Sequence, residues 1–178
     1  MPGPLAALLI VLCVVAAVWD WQWRRIPNWL TLPVAAVGFA AQGVLFGATG
    51  LKAAAAGFGL ACLITIPLFA LRALGGGDVK LMAASGVLLG ATHFGVLFVI
   101  NAIAGGVVAA AYALAKGRLG ATLRNVGAIL GSAGRGRVPA ADNPELDIAH
   151  PRALTIPRGA IYSLCALLLW AFGQFQPE

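Results

Sequence analysis

Charged side chains are scarce in this sequence. Only 10% of the 178 residues are charged, and only six are acidic, whereas a soluble domain is about 25% charged. Apolar residues make up 61% of the chain, and the mean hydropathy is +0.91. A chain of this size cannot bury so much apolar surface in its own core, which excludes soluble globular and disordered proteins. We therefore predict one membrane domain over residues 1–178, with the lipid bilayer as a partner.

Metal-ligating patterns are also missing. The three cysteines, Cys13, Cys62 and Cys165, all lie in apolar runs, and no two have C-x-x-C spacing. Neither a zinc site nor a disulfide framework is indicated. His93 and His150 are the only histidines, and we expect neither a metal nor another cofactor.

A concentrated basic surface is absent, although the net charge is +6. The basic residues stand at the ends of apolar runs, as they do in membrane proteins that use them as anchors. A nucleic-acid-binding face would need them gathered on one folded surface. We expect no nucleic-acid partner.

The apolar runs predict an all-α, polytopic protein with six transmembrane helices. The run from Leu81 to Ala115 would form a helix of about 52 Å, too long for a hydrocarbon core of about 30 Å. A turn at Gly90 to His93 would divide it into two spans. The runs are Pro4–Trp19, Trp29–Phe46, Ala53–Leu71, Leu81–Ala115 and Ala160–Phe172.

The distribution of basic residues predicts the orientation. With six spans, eleven of the twelve Lys and Arg residues lie on one side, and only Lys52 lies on the other. Basic loops stay in the cytoplasm, so both termini are expected outside. The polar region at about 117–157 is then a basic cytoplasmic loop. Its stripe of Leu119, Leu123, Val126 and Leu130 suits a helix on the inner leaflet, and a flexible linker fits equally well.

Two acidic residues adjoin the spans, Asp20 and Asp78. An acid near hydrocarbon costs up to about 2.5–3.5 kcal/mol on insertion scales, which marks it as a functional candidate. Both are predicted at the cytoplasmic ends of their spans, where a helix bundle could bring them together. Two close carboxylates share a proton, so one can activate water while the other donates to a carbonyl.

Simpler interpretations of both acids remain open. Asp78 follows three glycines and precedes a helix, as an N-cap residue would. Asp20 could pair with Arg24 at i,i+4. An acid pair would also serve a small proton-coupled carrier, although a carrier would place the acids near mid-membrane. A structural subunit of an envelope machine would need neither acid.

The sequence around both acids resembles the type IV prepilin peptidase family. Residues 20–31, DWQWRRIPNWLT, resemble its first block, in which an Asp and a basic stretch precede I-P-N-x-L-T. Residues 75–81, GGGDVKL, resemble the second block, G-x-G-D-x-K-L. Residues 155–161, TIPRGAI, resemble the late P-Y-G-x-A block, with Arg158 in place of its tyrosine.

The resemblance implies a G-x-G-D aspartyl protease with Asp20 and Asp78 as its catalytic dyad. Such an enzyme lies in the bacterial inner membrane and cuts the basic leader from prepilins or pseudopilins after a glycine, at the cytoplasmic side. The chain resembles the short, peptidase-only form of Flp/Tad pilus systems. Its oligomeric state is open.

The resemblance also implies roles for three residues of the second block. Gly75 and Gly77 are expected to adopt backbone conformations closed to other residues, and to let a substrate strand approach Asp78. Lys80 is expected either to tune Asp78 or to contact a lipid phosphate.

Overall fold

The described secondary structure is helical. The computed structural model describes residues 1–71, 74–117 and 158–173, with the isolated positions 120, 124, 127 and 131. Within these residues there are four long helices and no strand, which confirms the all-α prediction. The helices are α1 (Gly3–Trp23), α2 (Asn28–Ala70), α3 (Gly76–Ala115) and α4 (Arg158–Ala171). The predicted inner-leaflet stripe, Leu119, Leu123, Val126 and Leu130, lies outside the described residues.

Three of these helices, α1, α2 and α3, are long and apolar enough to cross a membrane. Their outer surfaces expose large apolar side chains, among them Val44, Leu63, Ile103, Val107 and Leu114. An apolar surface of this extent is incompatible with water and is covered by lipid. The chain is therefore a membrane protein.

Helix α2 consists of two segments joined at Gly47, whose φ of 60° lies in the left-handed region. The rings of Phe39 and Phe58 are 6.1 Å apart, whereas nineteen residues of straight helix would separate them by about 28 Å. The chain therefore folds back at Gly47. The apolar runs left residues 47–52 between two spans, and the structure reverses the chain at the first of these residues. Glycine can do this alone because it has no Cβ to clash at positive φ.

Helix α3 folds back in the same way at Gly90, where φ is 73°. Gly90 lies against Ala53, while Gly95 lies against Leu60. A straight continuation would carry Gly95 about 7.5 Å further from Leu60 instead of toward it. The predicted turn at Gly90 to His93 is thus confirmed at its first residue, and the next three residues are helical. We call the region around Gly47 and Gly90 the hairpin end.

The first segment of α3 is the centre of the bundle, since every residue from Leu81 to Gly90 is buried. This segment crosses α2 so closely that a Cβ at Gly57 would collide with the Gly86 carbonyl. Small residues permit such backbone approach in membrane helices.

A buried amide completes the hairpin end. Because the chain leaves the helix at Gly90, the last carbonyls of this segment have no helical partner. The Nε2 atom of Gln42 donates to the carbonyls of Val87 and Leu88 at 3.4 and 3.2 Å. Gln42 thereby satisfies acceptors that lipid could not.

Helices α1 and α4 pack on the other side of this central segment. Leu5, Leu9, Leu12 and Ala16 form the buried stripe of α1, at helical spacings of four, three and four. Tyr162 of α4 is buried and shares a hydrogen bond with Ser85 of α3. Since the Ser85 hydroxyl donates to the Met82 carbonyl at 3.0 Å, the Tyr162 hydroxyl is the donor to Ser85.

Candidate active site

Asp20 continues the buried stripe of α1, four residues after Ala16, and its exposed fraction is 7%. The helix ends three residues later at Trp23, where Arg24 adopts a left-handed conformation and its N–H bonds the Asp20 carbonyl at 3.0 Å. The same periodicity that buries leucines therefore turns a carboxylate inward at the end of the helix.

The Asp20 carboxylate is held by α4. Its Oδ2 atom accepts the Ala160 N–H at 3.2 Å, and Ala160 is the third residue of α4. The first N–H groups of a helix lack internal partners and carry partial positive charge, so they favour a carboxylate. The late block of the sequence thus contributes to the site of the first block. Sequence reasoning missed this contact, although the P-x-G-x-A resemblance was its signal.

Asp78 stands in the first turn of α3, as predicted from sequence, but it is not the N-cap residue. Gly75 is the N-cap, and Asp78 is three positions further along. The Asp78 carboxylate accepts a hydrogen bond from the Gly75 N–H, which is one half of a capping box. The N-cap interpretation is therefore wrong, because Gly75 occupies that position. Asp78 still helps to cap the helix through its bond to the Gly75 N–H.

The fold brings the two acids together at one end of the bundle. Asp78 lies within electrostatic range of Asp20 and of Arg158, the first residue of α4. Acids that are 58 positions apart in sequence come within electrostatic range of each other because α1 ends where α3 and α4 begin. We call this region, with Asp20, Asp78, Gly159 and Ala160, the acid-bearing end.

The glycines beside Asp78 are needed for their small size and not for an unusual backbone conformation. Gly75 has a φ of −78°, Gly77 is helical, and neither is among the described residues with positive φ. The expectation that they adopt conformations closed to other residues is wrong. Gly77 is small because a Cβ there would lie 3.2 Å from both the backbone nitrogen and the Cβ of Ile26.

Ile26 is a structural residue of the site to which the sequence assigned no role. It is buried and lies between the starts of α3 and α4. A Cβ at Gly77 would meet its backbone at 3.2 Å, and a Cβ at Gly159 would meet its Cδ1 atom at 3.0 Å. Ile26 thereby fixes the spacing of the two helix starts that surround the acids.

Lys80 has a side-chain hydrogen-bond partner on α2. Its Nζ atom donates to the Oδ1 atom of Asn28 at 2.7 Å, on an exposed part of the surface. Asn28 is the first residue of α2, directly after Pro27. The bond links the first and second sequence blocks and leaves both expected roles of Lys80 as predictions.

The arrangement is suited to acid–base chemistry by two carboxylates. Among residues 1–71, 74–117 and 158–173, no three His, Cys, Asp or Glu residues lie close enough to hold a metal ion. Two neighbouring carboxylates at different protonation states can deprotonate water and protonate an amide carbonyl.

The chain matches a model of a known protein family. A model of the type IV leader peptidase family matches residues 7–110, which is more than half of the chain and includes both acids. No curated protein matches the chain. Among solved structures there is likewise no match.

Proposed function

Because this chain belongs to the type IV leader peptidase family, we propose that it is an aspartyl endopeptidase that removes the leader of Flp-like type IV prepilins. Family membership makes the chain a protease of prepilin leaders in a membrane. The aspartyl mechanism, the Flp-like substrate, cleavage at the cytoplasmic face and the bacterial inner membrane are parts of the proposal.

One observation carries the aspartyl mechanism. Asp20 and Asp78, the two acids that adjoin apolar helices, meet at the acid-bearing end within electrostatic range of each other. Burying an acid beside a second acid is unfavourable for folding, and such pairs cluster at functional sites. A dyad of this kind takes a proton from water at one carboxylate and donates one to the scissile carbonyl from the other.

The resting carboxylates have separate backbone partners. Asp20 accepts from Ala160 and Asp78 accepts from Gly75. We therefore propose that substrate binding, or a small helix movement, completes the productive geometry by selecting one arrangement of the pair. A substrate-free experimental structure with the two carboxylates in direct hydrogen-bonding contact would contradict this part of the proposal only.

Six membrane crossings with both termini outside complete the proposal. The reversals at Gly47 and Gly90 divide α2 and α3 into four segments, which supports six crossings with α1 and α4. Lys116 and Arg158 stand at the acid-bearing end, and Lys52 follows the Gly47 reversal at the opposite end. Because basic loops stay in the cytoplasm, the proposal puts both acids at the cytoplasmic face.

Cysteine labelling tests this topology. In a background with Cys13, Cys62 and Cys165 changed to alanine, an impermeant thiol reagent added from the periplasm should label Lys52→Cys and not Arg135→Cys. Labelling of Arg135→Cys alone would reverse the orientation, and labelling of both would contradict six crossings.

The aspartyl assignment is tested by co-expression with a Flp-type prepilin, with the leader length read by mass spectrometry. Asp20→Asn and Asp78→Asn should each abolish processing while the protein still accumulates in the membrane. Asp147→Asn, an acid of the polar loop, is the matched control and should process normally. Substantial cleavage by either dyad variant would falsify the assignment.

A further inference from the structure

Gly159 lies directly against Asp20, a proposed catalytic residue. It is buried in the first turn of α4. A Cβ at this position would lie 3.1 Å from both the Cγ and the Oδ2 atoms of Asp20, and 3.0 Å from the Cδ1 atom of Ile26. A side chain at residue 159 would therefore require Asp20, Ile26 or α4 to shift by a few tenths of an ångström.

The next residue explains why this space is needed. Ala160 donates its N–H to Asp20 Oδ2 at 3.2 Å, so the backbone of α4 must approach the carboxylate to hydrogen-bonding distance. A methyl group at residue 159 would push against the same oxygen that Ala160 holds. Either α4 or the carboxylate would have to move by several tenths of an ångström.

From this geometry we infer that Gly159 is a positioning residue for Asp20. The first turn of α4 holds one carboxylate oxygen of Asp20 through the Ala160 N–H. This contact depends on the absence of a side chain at residue 159. This inference rests on the proposed aspartyl function and adds a third element to it. The family match ends at residue 110, so α4 lies outside the matched range.

We expect Gly159→Ala to lower kcat rather than to raise KM. A misplacement of about 1 Å at a reacting group costs about 100-fold in rate. We expect kcat for cleavage of a purified Flp-type prepilin by the detergent-solubilised full chain to fall about 10- to 100-fold, with KM within about threefold. Alanine is a better helix former than glycine, so helix propensity alone predicts no loss.

Gly59→Ala is the matched control. Gly59 is also a helical glycine, and a Cβ there would meet no atom within 4 Å. It should leave kcat and KM unchanged, and thermal melting in detergent should be unchanged or slightly higher because alanine is the better helix former.

A double variant separates the displacement of Asp20 from simple crowding against Ile26. Ile26→Val removes the Cδ1 atom that a Cβ at residue 159 would meet, and leaves the contact with Asp20 in place. Ile26→Val/Gly159→Ala should therefore stay as impaired as Gly159→Ala. Recovery of kcat to the value of Ile26→Val alone would overturn the inference, because the defect would then come from Ile26.

A second variant reaches the same hydrogen bond without adding an atom at residue 159. Ala160→Pro deletes the donor N–H and places the proline Cδ where the hydrogen pointed, toward Asp20 Oδ2, so the carboxylate loses both its partner and its space. The helix itself tolerates the change because an N–H in the first turn has no helical partner. Ala160→Gly keeps the donor and is its control. We expect Ala160→Pro to lose kcat as Gly159→Ala does, even if the latter fails to accumulate.

The outcomes distinguish this inference from the proposed function. Wild-type kcat in both Gly159→Ala and Ala160→Pro, with Asp20→Asn inactive, would overturn the positioning role and leave the aspartyl peptidase intact. Full activity of Asp20→Asn would overturn the function itself.

Discussion

Two pairs of glycines, Gly47 and Gly90 at the hairpin end and Gly77 and Gly159 at the acid-bearing end, are required for opposite reasons. Gly47 and Gly90 have φ values of 60° and 73° and are not crowded: a Cβ would meet nothing within 4 Å at Gly47 and only Ala53, at 3.7–3.8 Å, at Gly90. At the acid-bearing end, Gly77 and Gly159 are helical, and each faces atoms at 3.0–3.2 Å where a Cβ would stand.

This difference predicts which substitutions lower the stability of the protein and which lower its catalytic rate. A glycine chosen for its backbone angle permits a chain reversal, so replacing it strains the fold. A glycine chosen for space permits the close approach of a neighbour, so replacing it displaces that neighbour. Changes at the hairpin end should therefore lower stability and spare kcat, whereas changes at the acid-bearing end should lower kcat and spare stability.

The largest expected effect is at the dyad. Asp20→Asn and Asp78→Asn should each lower kcat/KM by at least about 10³-fold, because groups that act as a unit fail together. The double variant should then be no slower than either single variant. Single-turnover cleavage of a purified prepilin measures this, and independent, multiplying losses would argue that the acids do not act as a pair.

Gly90→Ala tests the opposite end. The angles of Gly90, φ 73° and ψ 174°, belong to a region that is essentially restricted to glycine. We expect a loss of about 1–3 kcal/mol in the free energy of unfolding, read from thermal or denaturant unfolding in detergent. The folded fraction should retain wild-type kcat. A fall in kcat without a fall in stability would erase the contrast between the two ends.

Gln42→Leu should act in the same direction through hydrogen bonds. It removes the donor to the Val87 and Leu88 carbonyls and leaves buried acceptors unpaired, at a cost of about 1–3 kcal/mol. Gln42→Met keeps the length of the side chain and has no donor, so it should lose stability by a similar amount. Unchanged unfolding of both variants would mean that these carbonyls find other partners.

The smallest expected effect concerns Lys80 and Asn28, whose hydrogen bond is exposed. Lys80→Ala and Asn28→Ala should each change stability only slightly, and a double-mutant cycle should give a coupling of about 0.5–1 kcal/mol. Processing should continue in both. A large loss of kcat in Lys80→Ala with a normal Asn28→Ala variant would instead favour a direct role of Lys80 beside Asp78.

The sequence predicted the helical class and the places where the chain reverses. Apolar runs report lipid-facing helices directly, since the bilayer selects residues one at a time for their transfer free energy. The limit of helix length required a break in Leu81–Ala115, and the structure has it at Gly90. Asp20 and Asp78 were identifiable because charge near hydrocarbon is costly wherever the helix packs.

Contacts between distant segments could not be predicted in this way. Nothing local distinguishes Gly57 and Gly159, which face close neighbours, from Gly59, which faces none. The same holds for Ile26, one apolar residue among many, whose position against two helix starts depends on where those helices arrive.

The sequence by itself determined that this chain is a helical membrane protein of the leader peptidase family, because composition, run length and motif strings are local properties. Only the tertiary structure decided that the first turn of α4 reaches Asp20, that Asp78 bonds the Gly75 N–H rather than serving as the N-cap, and that the glycines beside it provide space. The physical reason is that helix packing depends on shape between surfaces far apart in the chain, and a single sequence does not record which surfaces meet.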